Sequence, residues 1–187
     1  MKITPTARRF TARDRPDGFE VIVPAPRTPL QLIIVAAMLL GGAWTLNRRI
    51  PWLIVNFEAA ERFDVMWTIA WTIGCVLGLG VFLWMLAGRE RIVLRPRALE
   101  IRHEVFGVGW TSEYDLAAVE DLRVAPAGLG YESDEPLLMR LWGGGREGST
   151  VTFGYGARTI RIANGVDERE ATQIVHELKA RHTFKES

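Results

Sequence analysis

The stretch from Val65 to Ala87, VMWTIAWTIGCVLGLGVFLWMLA, carries no charged residue and is bracketed by Asp64 and by Gly88-Arg89-Glu90-Arg91. At a rise of about 1.5 Å per residue, a helix of this length covers the roughly 30 Å hydrocarbon core of a bilayer. In lipid only a helix or a closed barrel satisfies every backbone group, so a transmembrane helix is expected over 65–87. The chain before it must enter or partner that span. The chain after it must form whatever polar-surfaced structure the protein carries.

A shorter apolar run, Leu30 to Leu46, follows Pro29, where a missing N–H costs a helix little. It predicts a first span over 29–46, with Gln31 at its edge and Trp44 where an aromatic interface anchor falls. A buried helix of a soluble core is the alternative for a run this short. Together the two runs make a hairpin. Between them, Asn47-Arg48-Arg49 leads into an apolar segment, Ile50 to Phe57, that includes Trp52. This segment is expected to lie along the membrane surface or against a neighbouring protein, and Glu58 to Asp64 to return as a short charged turn of helix.

Charge sets the orientation. The 187 residues hold 23 Lys and Arg against 22 Asp and Glu, but the net +1 hides a segregation. Arg13, Arg15 and Arg27 precede the first run and Arg89, Arg91, Arg95 and Arg97 follow the second. Between the runs, Arg48, Arg49 and Arg62 are diluted by acids. By the positive-inside rule both termini are expected in the cytoplasm. There is no global basic field and no basic motif interleaved with aromatics, so nucleic acid is not an expected partner. The single cysteine, Cys75, lies inside the second run and reads as a small apolar residue. Residues 1–28 are polar and proline-rich, without the early apolar segment of a signal peptide. Within them Gly18 to Pro24 has strand composition, and this strand is expected to join a sheet built later in the chain.

Beyond Gly88 the pattern changes to short strands. Arg91 to Leu94 meets a tight Arg95-Pro96-Arg97 turn, after which Leu99, Ile101 and His103 alternate with Glu100, Arg102 and Glu104. Further strands are expected at Val108–Tyr114, Val119–Val124, Leu137–Trp142, Thr150–Phe153 and Thr159–Ala163, with glycine or proline between most of them. Roughly seven strands at this spacing suit a small barrel or sandwich. Asp167 and Glu170 have the form of a capping box, and Ala171, Ile174, Val175 and Leu178 then repeat on one helical face. Residues 89–187 are therefore expected to form an α+β domain, seven strands closed by a C-terminal amphipathic helix.

That arrangement resembles the pleckstrin-homology-like (PH-like) fold. The whole chain is similar to small bacterial membrane proteins that carry a polar N-terminal strand, a two-span hairpin and a PH-like domain. The resemblance rests on Gly88-Arg89-Glu90-Arg91-Ile92, Ala98-Leu99-Glu100-Ile101-Arg102, Glu113-Tyr114-Asp115-Leu116 and Phe153-Gly154-Tyr155-Gly156-Ala157-Arg158-Thr159-Ile160-Arg161, leading into Gly165-Val166-Asp167-Glu168. It implies a scaffold or assembly factor of membrane complexes, photosynthetic ones included. PH domains that bind phosphoinositides use a roomy loop between their first two strands, and here that loop is only Arg95-Pro96-Arg97. Arg89, Arg91, Arg95 and Arg97 remain candidates for contact with anionic lipid, at about 1 kcal/mol for each charge near the surface.

No catalytic constellation stands out. His103 and Glu104 point to opposite faces of one strand, and His176 and His182 have no metal-ligand spacing with it. Asp115, Asp121 and Asp134 sit in turn contexts, and Gly143-Gly144-Gly145 lacks the Lys-Ser/Thr ending of a phosphate loop. Neither apolar run contains a histidine to ligate a haem or chlorophyll, and no cofactor or metal is expected. Gly74 and Gly78 form a small-xxx-small pair that admits a close neighbour helix, either the first span or another subunit. Trp67 and Trp71 lie one turn apart on one face. With Trp52, Phe57 and Tyr131 they are the candidate contacts to a partner. The expected role is a non-enzymatic accessory subunit or assembly factor of an integral-membrane complex, photosynthetic or respiratory. A membrane-tethered module binding anionic lipid or another ligand is the alternative.

Overall fold

A computed structural model describes residues 10–126 and 149–185. The expected strand at Leu137–Trp142, the loop around Tyr131, Asp134 and the run Gly143-Gly144-Gly145 lie outside the described residues. The chain divides into two units, one formed by Met1–Pro26 with Ala87–Ser187 and the other by Arg27–Leu86.

The first unit is built from antiparallel strands. β1 (Thr11–Arg15), β2 (Gly18–Pro24), β3 (Gly88–Leu94), β4 (Ala98–Val105) and β5 (Val108–Asp115) form one sheet in that spatial order. β6 (Val119–Pro126), β7 (Ser149–Tyr155) and β8 (Arg158–Val166) form a second. Neither sheet closes into a barrel. The barrel expectation gives way to two open meanders, joined by a 3₁₀ turn at Leu116–Ala118 that Asp115 caps through Ala117 N–H at 3.0 Å. The early strand does join the later sheet, with Val21 opposite Ile92. β1 adds a hairpin ahead of it, with Arg13 opposite Glu20.

Alternation sorts the faces. Phe19, Val21, Ile92, Leu94, Leu99 and Ile101 turn inward and meet Leu122, Val151, Phe153, Ile160 and Ile162 of the second sheet in one core. α3 (Glu168–Lys179) completes it. Its start carries both halves of the capping box, Asp167 accepting from Glu170 N–H at 2.7 Å and Glu170 from Asp167 N–H at 3.2 Å. Its apolar stripe, Ala171, Ile174 and Leu178, is fully buried. Each large side chain taken into such a core contributes about 1.5–3 kcal/mol.

The second unit is a pair of helices, α1 (Pro29–Val55) and α2 (Arg62–Ala87). Both are long and apolar enough to cross a membrane. α1 corrects the expected end at residue 46. It continues through Arg48, Arg49 and Pro51, so much of the segment read as an interfacial loop is helix. Arginine is a good helix former, and Pro51 forfeits one hydrogen bond, the one its N–H would donate to residue 47, while the helix runs on to Val55. Asn56 ends the helix, its backbone N–H and side-chain amide both donating to Trp52 O. The charged turn expected at Glu58–Asp64 is helical only from Arg62.

Candidate functional site

In the hairpin unit, Val35 packs with Val81 and Met85, flanked by Leu32, Leu39 and Phe82. At Gly42 the helices come close enough that a β-carbon would collide with Cys75 Sγ and crowd the Trp71 ring. The expected glycine pair divides between two roles. Gly78 faces Leu39 of α1, whereas Gly74 has no atom within 4 Å of the position its β-carbon would take. One turn of helix away, Phe63, Trp67 and Trp71 stack at successive i, i+4 positions, with ring centroids 6.1 Å and 6.0 Å apart. Trp67 remains 51% exposed, and Trp52 and Phe57 are also exposed. Near the bend, Arg49 pairs with Asp64 and Arg48 lies over the Trp44 ring at 4.3 Å. Tyr131 lies outside the described residues.

Of the candidate lipid-contact arginines, Arg89 and Arg91 belong to a charged lattice on the outer face of the five-stranded sheet. Glu20 is enclosed by Arg13 at 2.9 Å, Arg15 at 2.8 Å and Arg91, whose Nε donates at 2.8 Å. Glu104 is enclosed by Arg89, by Arg102 at 3.2 Å and by Arg91 at 3.6 Å. Both carboxylates are buried, and each is ringed by three arginines. Arg91 stands directly opposite Arg102 in the ladder, a repulsive pairing unless a carboxylate lies between them, as Glu104 does. Burial pushes the Glu20 carboxyl up, but the Arg91 hydrogen bond and the charges of Arg91, Arg15 and Arg13 outweigh it and lower its pKa. The same hydrogen bond raises Arg91 above its usual value. Arg95 pairs with Glu100 at 3.1 Å. Arg97 is exposed and has no carboxylate partner among the described residues.

On the inner face a second set of polar groups meets. Glu90 Oε2 accepts from Ala163 N–H at 2.8 Å, where a bulge in β8 puts Ala163 at φ 55. His103 Nε2 lies 3.8 Å from Glu90 Oε1 and stacks on Trp110 with centroids 5.2 Å apart. His103 and Glu104 thus turn to opposite faces, as their alternation predicts. The geometry at Glu90 is that of a carboxylate capping a bulge. Among the described residues no group of three His, Cys, Asp or Glu side chains is placed to hold a metal ion.

Sequence reasoning missed Gly42, because glycine spacing on one helix does not say which glycine the other helix meets. It missed Glu20 as the centre of a lattice, because its three arginines come from β1 and β3. The signal for Glu20 was its charge at an outward position of an otherwise apolar strand. No protein family, curated protein or solved structure matches the chain.

Proposed function

We propose that the chain is a two-span membrane protein whose helical hairpin packs against a larger integral-membrane complex, while its β unit, a PH-like domain, engages the same complex from the cytoplasmic side. The observation that carries the reading is the aromatic ladder Phe63–Trp67–Trp71, open at Phe63 and Trp67, together with the unoccupied flank of Gly74. A ladder with a glycine notch accepts another helix by van der Waals packing, the main attraction available in lipid. Little of either apolar helix is covered by protein, unlike a core helix of a soluble domain. Ala25 N–H donates to Gly88 O at 2.9 Å, so the chain leaves for α1 and returns from α2 at neighbouring points. Either both helices cross or neither does.

Leaving β1 aside, four strands, three strands and a C-terminal helix support the PH-like reading. The lipid-binding alternative is weakened, since Arg89, Arg91 and Arg95 are already engaged by Glu104, Glu20 and Glu100.

The test is purification of the tagged protein from its own membranes in mild detergent. A stoichiometric set of membrane subunits co-eluting with wild type, and lost with Gly74→Leu or with Trp67→Ala plus Trp71→Ala, supports the accessory role. A protein that elutes alone or only with lipid ends it.

A further inference from the structure

One end of the five-stranded sheet is defined by its register. Pro24 pairs with Arg89, Gly88 with Val105, and Val105 with Val108. The same end is where the chain departs for α1 and where it arrives from α2, since Ala87 closes that helix and Gly88 opens β3. Beyond Val105 and Val108 projects a two-residue turn, Phe106-Gly107, with φ 51 and 85. Both residues are left-handed, as a type I′ hairpin requires, and phenylalanine is an unusual choice there. Asparagine or aspartate would adopt this conformation more readily. The phenylalanine gains no packing in exchange, because its side chain is 71% exposed and that of Val108 is 80% exposed.

Chain geometry limits how far this tip can lie from the end of α2. Successive Cα atoms are about 3.8 Å apart and cross-strand partners about 4.5–5.5 Å apart, which keeps Phe106 within about 13 Å of Ala87. The turn is therefore tied to the neighbourhood of the residue where α2 ends. Arg102, itself paired with Glu104, holds the turn by donating to Gly107 O at 3.0 Å. An exposed apolar tip at this end of the sheet matches the apolar boundary of a bilayer interface.

We propose that the Phe106-Gly107-Val108 turn inserts into lipid at the membrane interface beside the end of α2, anchoring that edge of the β unit to the bilayer. The inference rests on the two-span reading, and its test separates the two. In a Cys75→Ala background, cysteines placed singly at Phe106, Val108 and Val76 are labelled with an environment-sensitive fluorophore. Each full-length protein is reconstituted in phosphatidylcholine–phosphatidylglycerol vesicles carrying lipids doxylated at shallow or deep positions. The expected result is blue-shifted emission at 106 and 108, quenched about twofold more by shallow than by deep doxyl groups, with the label at 76 quenched most by deep ones. If the label at 76 is deep while 106 and 108 are quenched by aqueous iodide as fast as free dye, the anchoring turn is overturned and the two-span reading stands. A label at 76 that reports water overturns both.

Discussion

The carboxylate of Glu90 on β3 accepts the backbone N–H of Ala163 on β8 at 2.8 Å, a buried polar bond joining the two sheets. The bulge removes Ala163 from the ordinary ladder, and the buried N–H needs another acceptor. Glu90→Ala is expected to lower unfolding stability by about 1–3 kcal/mol, because it strands that donor. Glu90→Gln keeps a carbonyl oxygen in place and should cost less. Denaturant unfolding in detergent, followed by tryptophan fluorescence, checks the order. Equal losses from the two variants would show that the bond to Ala163 contributes nothing of its own.

Glu20 predicts an acid limb in the stability profile. Its pKa is lowered in the folded protein from an ordinary 4.5, so the folded state holds this proton less tightly than the unfolded chain. The stabilisation it supplies is complete above that ordinary value and fades as pH falls through the lowered one. Glu20→Gln should be less stable than wild type at neutral pH, and the gap should narrow on acidification. Thermal midpoints of both proteins across the acid range decide it, and a gap independent of pH would contradict the lattice as drawn.

Gly42 and Gly74 should separate folding of the hairpin from what it binds. Gly42→Leu places side-chain atoms where Cys75 and Trp71 already are, and is expected to loosen the helix pair. A β-carbon at Gly74 meets nothing in the hairpin, so Gly74→Leu should leave its stability near that of wild type. Protease resistance of the detergent-solubilised protein measures both. A Gly74→Leu protein as labile as Gly42→Leu would mean that the flank of Gly74 is not open.

Replacing Asp167 by alanine removes the acceptor that holds Glu170 N–H at the start of α3. A loss of about 1 kcal/mol is expected, with Asp167→Asn retaining most of it. Since Ala171, Ile174 and Leu178 lock the helix onto the core, the fold should survive and only the unfolding midpoint should move.

What the sequence disclosed follows from where its signals are local. The alternation of Leu99, Ile101 and His103 with Glu100, Arg102 and Glu104 identifies β4 because a half-buried strand has period two. Asp167 and Glu170 identify the start of α3 because a capping box is complete within four residues. β1 gave no such signal: Thr11–Arg15 is polar and exposed throughout, and it is a strand because β2 lies beside it. Continuation of α1 past Arg48 was hidden because Pro51 usually marks a boundary, yet here the helix carries on through it to Val55. The candidate site divides in the same way. The Trp67–Trp71 spacing is written in four residues, whereas the partners of Arg89 and Arg91 depend on how strands far apart in sequence come together.

Because β2 pairs with β3 across the whole of Arg27–Leu86, the sheet is out of order in time. A ribosome adding about 5–20 residues per second finishes β2 seconds before β3 exists, and through that interval Phe19, Val21 and Val23 have no inner-sheet neighbour. The early hairpin must remain uncommitted until the apolar helices have been made and disposed of. Closure of β2 onto β3 therefore comes late: the five-stranded sheet completes only when the two ends of Arg27–Leu86 have been brought side by side.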